Sequence, residues 1–409
     1  RRAEDLHGIT GGNPFYVTEV LGTDGGGIPA SVRDAVLARA ARLTPAATAV
    51  LHVVSIVPGR IERWLLDRMV DEPARAVQEG VDAGILRATR DDVAFRHELA
   101  RRVWEDSLEP AYAAELHRRM IQAIESHDGG TTMLPRLVHH ADRAGDVDTV
   151  LRLAPAAGRE AASLGAHREA AAHFESALRH ADRSPPAERA ALLGAWAYEV
   201  HLNGRISEAV RAREEALELW REIGDRRRQG DELRWLSRLA WFEGRRADAA
   251  ECAEQAIVLL EPLGPSHELA MAYSTRAQLH ILAEERQLAP QWGDRAVAMA
   301  EALGDPEALV HALTNAACLE PGSFRQTQVR AIRLAQQHGL HEHAMRAFTW
   351  LICDSIVELE YTAAEGFLAE AIEYADARDI DSFAFYLRGW RSRLHAELGR
   401  LAEDVVEVR

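Results

Sequence analysis

Small and apolar residues return along the second half of this 409-residue chain at an interval near forty. Alanine followed by an aliphatic residue stands at Ala177-Leu178, Ala216-Leu217, Ala256-Ile257, Ala296-Val297, Ala331-Ile332 and Ala371-Ile372, at spacings of 39, 40, 40, 35 and 40 residues. Glycines keep the same step. Gly224, Gly264 and Gly304 fall forty apart, and Gly165, Gly204 and Gly244 each open a short polar tract ending in Ala170, Ala209 and Ala249. Two antiparallel helices approach closely only where one of them presents a small side chain, which the alanines supply. A glycine between the helices gives the left-handed residue that ends the first, and Asp or Pro after the second glycine starts the next. Each unit is then a helical hairpin too small to bury a core alone, so at least six must stack into an α-solenoid.

The first half has a different pattern. Residues Arg1 to Leu21 read as two short helices joined at Thr10-Gly11-Gly12-Asn13-Pro14-Phe15, with Asn13 as N-cap and Pro14 at the first helical position. Gly22 to Gly27 is a glycine-rich joint, and a domain boundary is placed there. Helices are expected over Val32 to Leu43, from Thr44-Pro45 through the almost wholly apolar run Ala49 to Val54, over Glu62 to Val70, and over Pro73 to Ala83. The period then changes to two. Ile85 to Ala88 and Asp92 to Phe95 alternate around Arg90-Asp91, the signature of a β-hairpin. Helices followed by such a hairpin predict a winged helix. Amphipathic helices follow from Phe95 to Leu108 and from Pro110 to Ile124, and the hairpin series begins with an irregular pair, Leu134 to Ala144 and Val147 to Ala154.

The tracts Gly204-Arg205-Ile206-Ser207-Glu208-Ala209 and Gly244-Arg245-Arg246-Ala247-Asp248-Ala249 resemble tetratricopeptide repeats, with units longer than that family's ~34 residues. Units of about forty are similar to the sensor superhelix of large ATP-binding LuxR-type regulators of the STAND class. Two further stretches carry that resemblance: Gly12-Asn13-Pro14 resembles the Gly-x-Pro lid motif of signal-transduction ATPases, and Phe95-Arg96-His97-Glu98-Leu99 resembles the phenylalanine-arginine-histidine segment of the same regulators. The resemblance implies that Gly12 and Pro14 line a nucleotide in an intact parent protein, and that His97 touches the diphosphate of bound ADP in the closed state. It divides the chain into a lid remnant, 1–28, a winged-helix-like regulatory domain, 29–128, and a tetratricopeptide-like superhelix, 129–409. The start without Met and the cut final hairpin suggest an excised segment of something longer. The P-loop domain and the C-terminal DNA-reading helices of the family are absent from the segment, so neither hydrolysis nor operator binding is assigned to it; ATP or ADP belongs to the parent, and no cofactor is assigned here.

Composition narrows the chemistry. The formal charge is −16 and all 48 basic residues are arginine. Such a balance repels phosphate backbones, and no concentrated basic face is evident, so direct nucleic-acid binding is not expected. Without lysine there is no Walker-A lysine and no Schiff-base chemistry. Cys252, Cys318 and Cys353 are odd in number, far apart and on helical patterns, which reads as reduced and buried. The longest apolar run, Ala49 to Val57, is too short to span a bilayer, and the amino terminus has no apolar signal core, so a cytoplasmic location is expected. No nucleophile elbow or separated carboxylate pair appears, so no catalytic residue is named. No metal site is named either. His338, His341 and His343 do not have zincin spacing, and the side chains of His139 and His140 diverge by about 100° on one helix, which assigns one to the core and one to the surface.

A binding groove is the functional expectation. The first helix of each hairpin lines the concave side of such a superhelix. Aligning the units on their glycine and alanine marks sends Tyr198, His201, Arg234, Arg238 and Trp241 inward, with Arg159 beside them. Arginine interleaved with aromatics holds a carboxylate or stacks on a planar ligand. The partner is then a small-molecule inducer, a peptide or a protein, with homo-oligomerisation left open. The alternative is a docking scaffold of another signalling protein, such as a kinase or cyclase with the same middle.

Overall fold

The structure is a computed structural model, and it describes residues 33–34, 36–38, 42–127, 133–320 and 322–400. The lid remnant with Gly12 and Pro14 lies outside the described residues, as do residues 32, 35 and 39–41 of the helix expected over Val32 to Leu43 and the tail from residue 401. The chain divides into two compact units, Arg1–Leu153 and Ala154–Arg409. That division falls later than the expected boundary after residue 128. The reason is packing: the helix Pro110–Glu125 lies against the helix Leu134–Ala144, so the first helix of the irregular pair belongs to the first unit.

The first unit runs α1 (Pro45–Ser55), β1 (Ile61–Glu62), α2 (Arg63–Met69), α3 (Pro73–Asp82), β2 (Leu86–Ala88), β3 (Asp92–Phe95), α4 (Glu98–Ser107), α5 (Pro110–Glu125) and α6 (Leu134–Ala144). Thr44 caps α1 by accepting from the Ala47 N–H at 3.2 Å, and Pro45 follows it at the first turn. The expected hairpin is present, with Leu86 opposite Phe95 and Ala88 opposite Val93. A third strand, β1, pairs antiparallel with β3, Ile61 opposite Val93, so the sheet order is β1-β3-β2. Two residues are too few to leave a period-two trace, which is why the sequence reading gives Glu62 to the following helix and Ile61 to no element. The core beneath is apolar: Val50, Leu51, Leu65, Leu66, Leu86, Val93, Leu116 and Met120 are buried.

The helix α7 (Val147–Ser163) crosses from the first unit into the second. It continues nine residues past its expected end at Ala154, through Pro155. The second unit continues with α8 (His167–Leu178), α9 (Pro186–Leu202), α10 (Ile206–Ile223), α11 (Arg226–Phe242), α12 (Arg246–Leu260), α13 (His267–Leu282), α14 (Pro290–Leu303), α15 (Pro306–Ala317), α16 (Phe324–Gln337), α17 (His341–Val357), α18 (Tyr361–Asp376) and α19 (Asp381–Glu397). This is the mainly α solenoid that the repeats specify. Ala177, Ala216, Ala256, Ala296, Ala331 and Ala371 are all fully buried where helices meet. Gly224 ends α10 at φ 82° and Gly304 ends α14 at φ 63°, both left-handed. Asp225, Ser266 and Asp305 then cap α11, α13 and α15 through their side chains.

Within this unit the helices α11, α13, α15, α17 and α19 pack in succession, each on the next, and form the inner wall of the superhelix. The wall closes on itself. Helix α9 packs against α19, and Arg168 at the start of α8 pairs with Asp379 at 2.9 Å and with Asp381 at 2.5 Å. The concave side is therefore the inside of a closed turn, filled by side chains from opposite parts of the repeat array.

Candidate functional site

Helix periodicity brings polar residues into this interior in pairs four apart. Arg234 and Arg238 project from α11, His311 and Asn315 from α15, and Glu342 and Arg346 from α17. The pairing across the interior is direct, because Arg238 Nη2 donates to Glu342 Oε1 although the two lie 104 residues apart. Arg234 is held by Asp231 at 2.8 Å, and Arg213 by Glu232 at 2.9 Å with both partners buried. His343 bonds Glu307 through Nε2 at 3.2 Å, His311 bonds the Ser274 hydroxyl at 2.6 Å, and Asn315 donates to the Ser274 carbonyl at 3.0 Å. The Trp235 ring lies under three guanidinium groups, with Arg234 at 4.5 Å, Arg213 at 4.8 Å and Arg238 at 5.7 Å from its centroid.

One cation in this cluster has no carboxylate at ion-pair distance among the described residues, although Glu342 acts on it from farther off. Arg346 is 4 % exposed, and its described hydrogen bond goes to the neutral Asn315 Oδ1 at 3.3 Å. Its Nη1 is buried with no hydrogen bond, and so are Arg238 Nε and both ring nitrogens of His201; Glu342 Oε2 and His343 Nδ1 also lack a hydrogen bond and face each other at 3.8 Å. Burial and the neighbouring Arg238 push the Arg346 guanidinium down to about 9. Burial alone would raise the Glu342 carboxyl, but Arg238, His343 and Arg346 outweigh it and hold it down to about 2. Burial, and then Arg238, lower His201 to about 3, so its imidazole is neutral. Unpaired charged donors in a low-dielectric interior cost several kcal/mol each unless something satisfies them. The arrangement is suited to accept an anion, with Arg346 and Arg238 as donors and Trp235 as a flat apolar wall.

The residues predicted for the groove divide on inspection. Arg234, Arg238 and His201 are in the cluster, and Tyr198 stands at its edge, with its ring 5.6 Å from Trp235. Trp241 is not in it. That ring packs against Ala240, Ala249, Ala253 and Leu279 and lies under Arg246 at 5.3 Å. Trp235 and Trp241 flank Arg238 at about 60° on either side of the helix, and the closure of the superhelix turns the Trp235 flank inward. Arg159 lies exposed on α7. The sequence reading missed Trp235, His311, Asn315, Glu342 and Arg346. His311 and Asn315 belong to the unit whose spacing shortens to 35 residues, so the shared marks give no register there.

In the first unit His97 occupies the N-cap of α4 with extended backbone, φ −134° and ψ 129°. The histidines near residue 340 face different ways: His341 bonds the Tyr374 hydroxyl at 2.7 Å, whereas His343 turns to Glu307. The expectation for His139 and His140 is corrected. His140 is 1 % exposed and His139 half-buried, and both rings meet His117 of α5. A 100° divergence does not separate two long side chains when a neighbouring helix sets a third ring between them. The cysteines are free, with Cys318 buried as expected but Cys252 and Cys353 only half-buried.

No protein-family model matches the sequence, and no curated protein matches it. Solved structures do resemble the fold. The apo form of RapI is similar with a TM-score of 0.51 at 8 % identity, over 64 % of this chain and 98 % of that one. A signal-transduction ATPase with numerous domains and a tetratricopeptide repeat sensor, from Pyrococcus horikoshii, aligns over 99 % of this chain with a TM-score of 0.44 at 14 % identity. The present chain spans 62 % of that protein's length. A Rap protein complexed with competence and sporulation factor aligns over 73 % of this chain and 96 % of that one, with a TM-score of 0.45 at 13 % identity. The likeness to RapI is one of fold alone, and the fold of this chain is a mainly α, tetratricopeptide-like solenoid. Among the described residues no helix is long and apolar enough to cross a membrane.

Proposed function

We propose that the superhelix is a sensor that takes up a small carboxylate-bearing ligand in its interior, with Arg346 as the anchoring cation. The single observation behind this is a buried guanidinium with no carboxylate at ion-pair distance among the described residues, beside an Arg238 that is itself only half-satisfied. An incoming carboxylate would take the two open donors, and Glu342 Oε2 would accept a donor from the same ligand. Binding would shift charge between α11 and α17, helices from opposite parts of the closed turn, and so bias the state of the whole superhelix. No catalytic role is proposed for this chain.

The proposed setting is the regulatory middle of a LuxR-type ATP-binding transcriptional regulator. The order helix, strand, two helices and hairpin supports reading the first unit as a winged helix, and the position of His97 just after β3 supports a nucleotide-facing role in the intact parent. Gly12 and Pro14 would complete that contact, and the protein would act in the cytoplasm. The test is a thermal-shift and calorimetric screen of the 409-residue chain against small carboxylates, with Arg346→Met as the comparison. A true ligand at a hundred times its Kd stabilises by about 2.7 kcal/mol. It should stabilise the native chain and leave Arg346→Met unmoved, while the ligand-free variant is at least as stable as the native protein. A variant that loses several kcal/mol, with no anion stabilising the native chain, would show that Arg346 serves the fold alone. A response to acidic peptides but not to small carboxylates would replace the ligand class.

A further inference from the structure

In the first unit three histidines from two helices converge. His117 of α5 and His139 and His140 of α6 place one nitrogen each within 4.8 Å of one another. Their ring centroids form a near-equilateral triangle, 5.1 Å for His117 to His140, 5.1 Å for His139 to His140 and 5.9 Å for His117 to His139. We infer that these three imidazoles form a binding site for a borderline divalent transition metal, zinc foremost, that clamps α5 to α6.

The donor chemistry favours this over a satisfied histidine cluster. Among the described contacts the trio has one hydrogen bond within itself, His117 Nδ1 to His140 Nδ1 at 2.8 Å. His139 is hydrogen-bonded to the backbone of Ile56, and its Nε2 is buried without a partner. The tautomer that donates from Nδ1 to that carbonyl leaves the Nε2 lone pair bare and fixes the ring, which is the outer-sphere arrangement that orients a metal-binding histidine. Zinc–nitrogen bonds of about 2.0–2.1 Å set tetrahedral ligand nitrogens about 3.3 Å apart, so small side-chain rotations complete the set. Three neutral nitrogens leave a fourth position for water or an exogenous ligand. Imidazole donors without thiolate or carboxylate select zinc, copper, nickel or cobalt over calcium or magnesium.

The charged groups around the trio are Arg101, Arg136, Arg143 and Glu105. Glu105 is held by Arg101 at 2.8 Å and Arg143 at 2.6 Å and acts on both His117 and His139. It supplies the counter-charge that offsets the arginines. Burial favours the neutral form of all three rings, which is the form that ligation requires.

The experiment is titration of the chelator-treated full chain with Co(II), read by visible absorption, and with Zn(II), read by calorimetry and thermal unfolding. One equivalent of Co(II) should give the intense bands of a four-coordinate nitrogen site, and Zn(II) should compete it out and raise Tm by several degrees. His139→Ala, His117→Gln and His140→Gln should each weaken binding by about 100-fold or more, while the exposed His338→Ala leaves it unchanged. Circular dichroism identifies any variant that fails to fold, and the half-buried His139→Ala keeps the test usable in that case. Weak six-coordinate cobalt spectra, or binding that survives all three substitutions, would overturn the site.

Discussion

The interior of the superhelix shows how one residue's worth depends on what faces it. Arg213 and Glu232 are paired at 2.9 Å with both side chains 6 % exposed, and burial raises the Glu232 carboxyl despite its partner. Removing one member of such a pair strands the other charge in a dry interior, which costs about 3–5 kcal/mol, whereas replacing both by apolar residues of similar size is near neutral. Arg213→Met should therefore lose about that much in urea unfolding, and Arg213→Met with Glu232→Leu should recover most of it. If the double variant is as weak as the single, the pair contributes through specific hydrogen bonds and not through its charges. The sequence gives only Arg and Glu nineteen positions apart on different helices, and nothing local marks them as partners.

Elements are where the sequence is most legible, because the forces that make a hairpin act over a few residues. The turn glycines, the caps at Asp225 and Asp305 and the buried alanines stand where the repeat marks put them. What escapes this reading is a small residue used for packing between elements. Gly230 sits inside α11, where glycine weakens a helix by about 1 kcal/mol relative to alanine. A Cβ there would come within 2.5 Å of Leu260 Cγ on α12, so the glycine lets those two helices meet. Gly230→Ala should then be destabilising by about 1–3 kcal/mol instead of stabilising. A higher Tm for the variant would mean that Leu260 moves aside freely. The strand Ile61–Glu62 was hidden for the opposite reason, since it exists only because β3 offers it an edge to pair with.

At the scale of the whole molecule, His117 of the first unit and His201 and Glu342 of the second point the same way with pH, against the buried Glu232. His117 and His201 are lowered by burial to about 4 and about 3, and Glu342 is held at about 2 by its arginines. Between pH 6.5 and 4 the unfolded chain takes protons on the histidines that the native protein refuses, so the unfolded state binds more protons and stability drops as the pH is lowered. Below the ordinary carboxylate range Glu342 adds to the same trend, since its stabilisation is present above that range and is lost as pH falls through about 2. Unfolding free energy should thus be flat from pH 8 to 7 and fall by a few kcal/mol by pH 4. A chain as stable at pH 4.5 as at pH 7.5 would contradict the neutral buried histidines. The sequence by itself determined the repeat, its hairpins and their small-residue contacts, because periodicity, capping and turn chemistry are local. Only the tertiary structure decided that the superhelix closes, that Trp235 and not Trp241 turns inward, that Arg346 has no carboxylate at ion-pair distance among the described residues and that three histidines meet. Those outcomes sum small rotations over many helices, and no short stretch of sequence carries the sum.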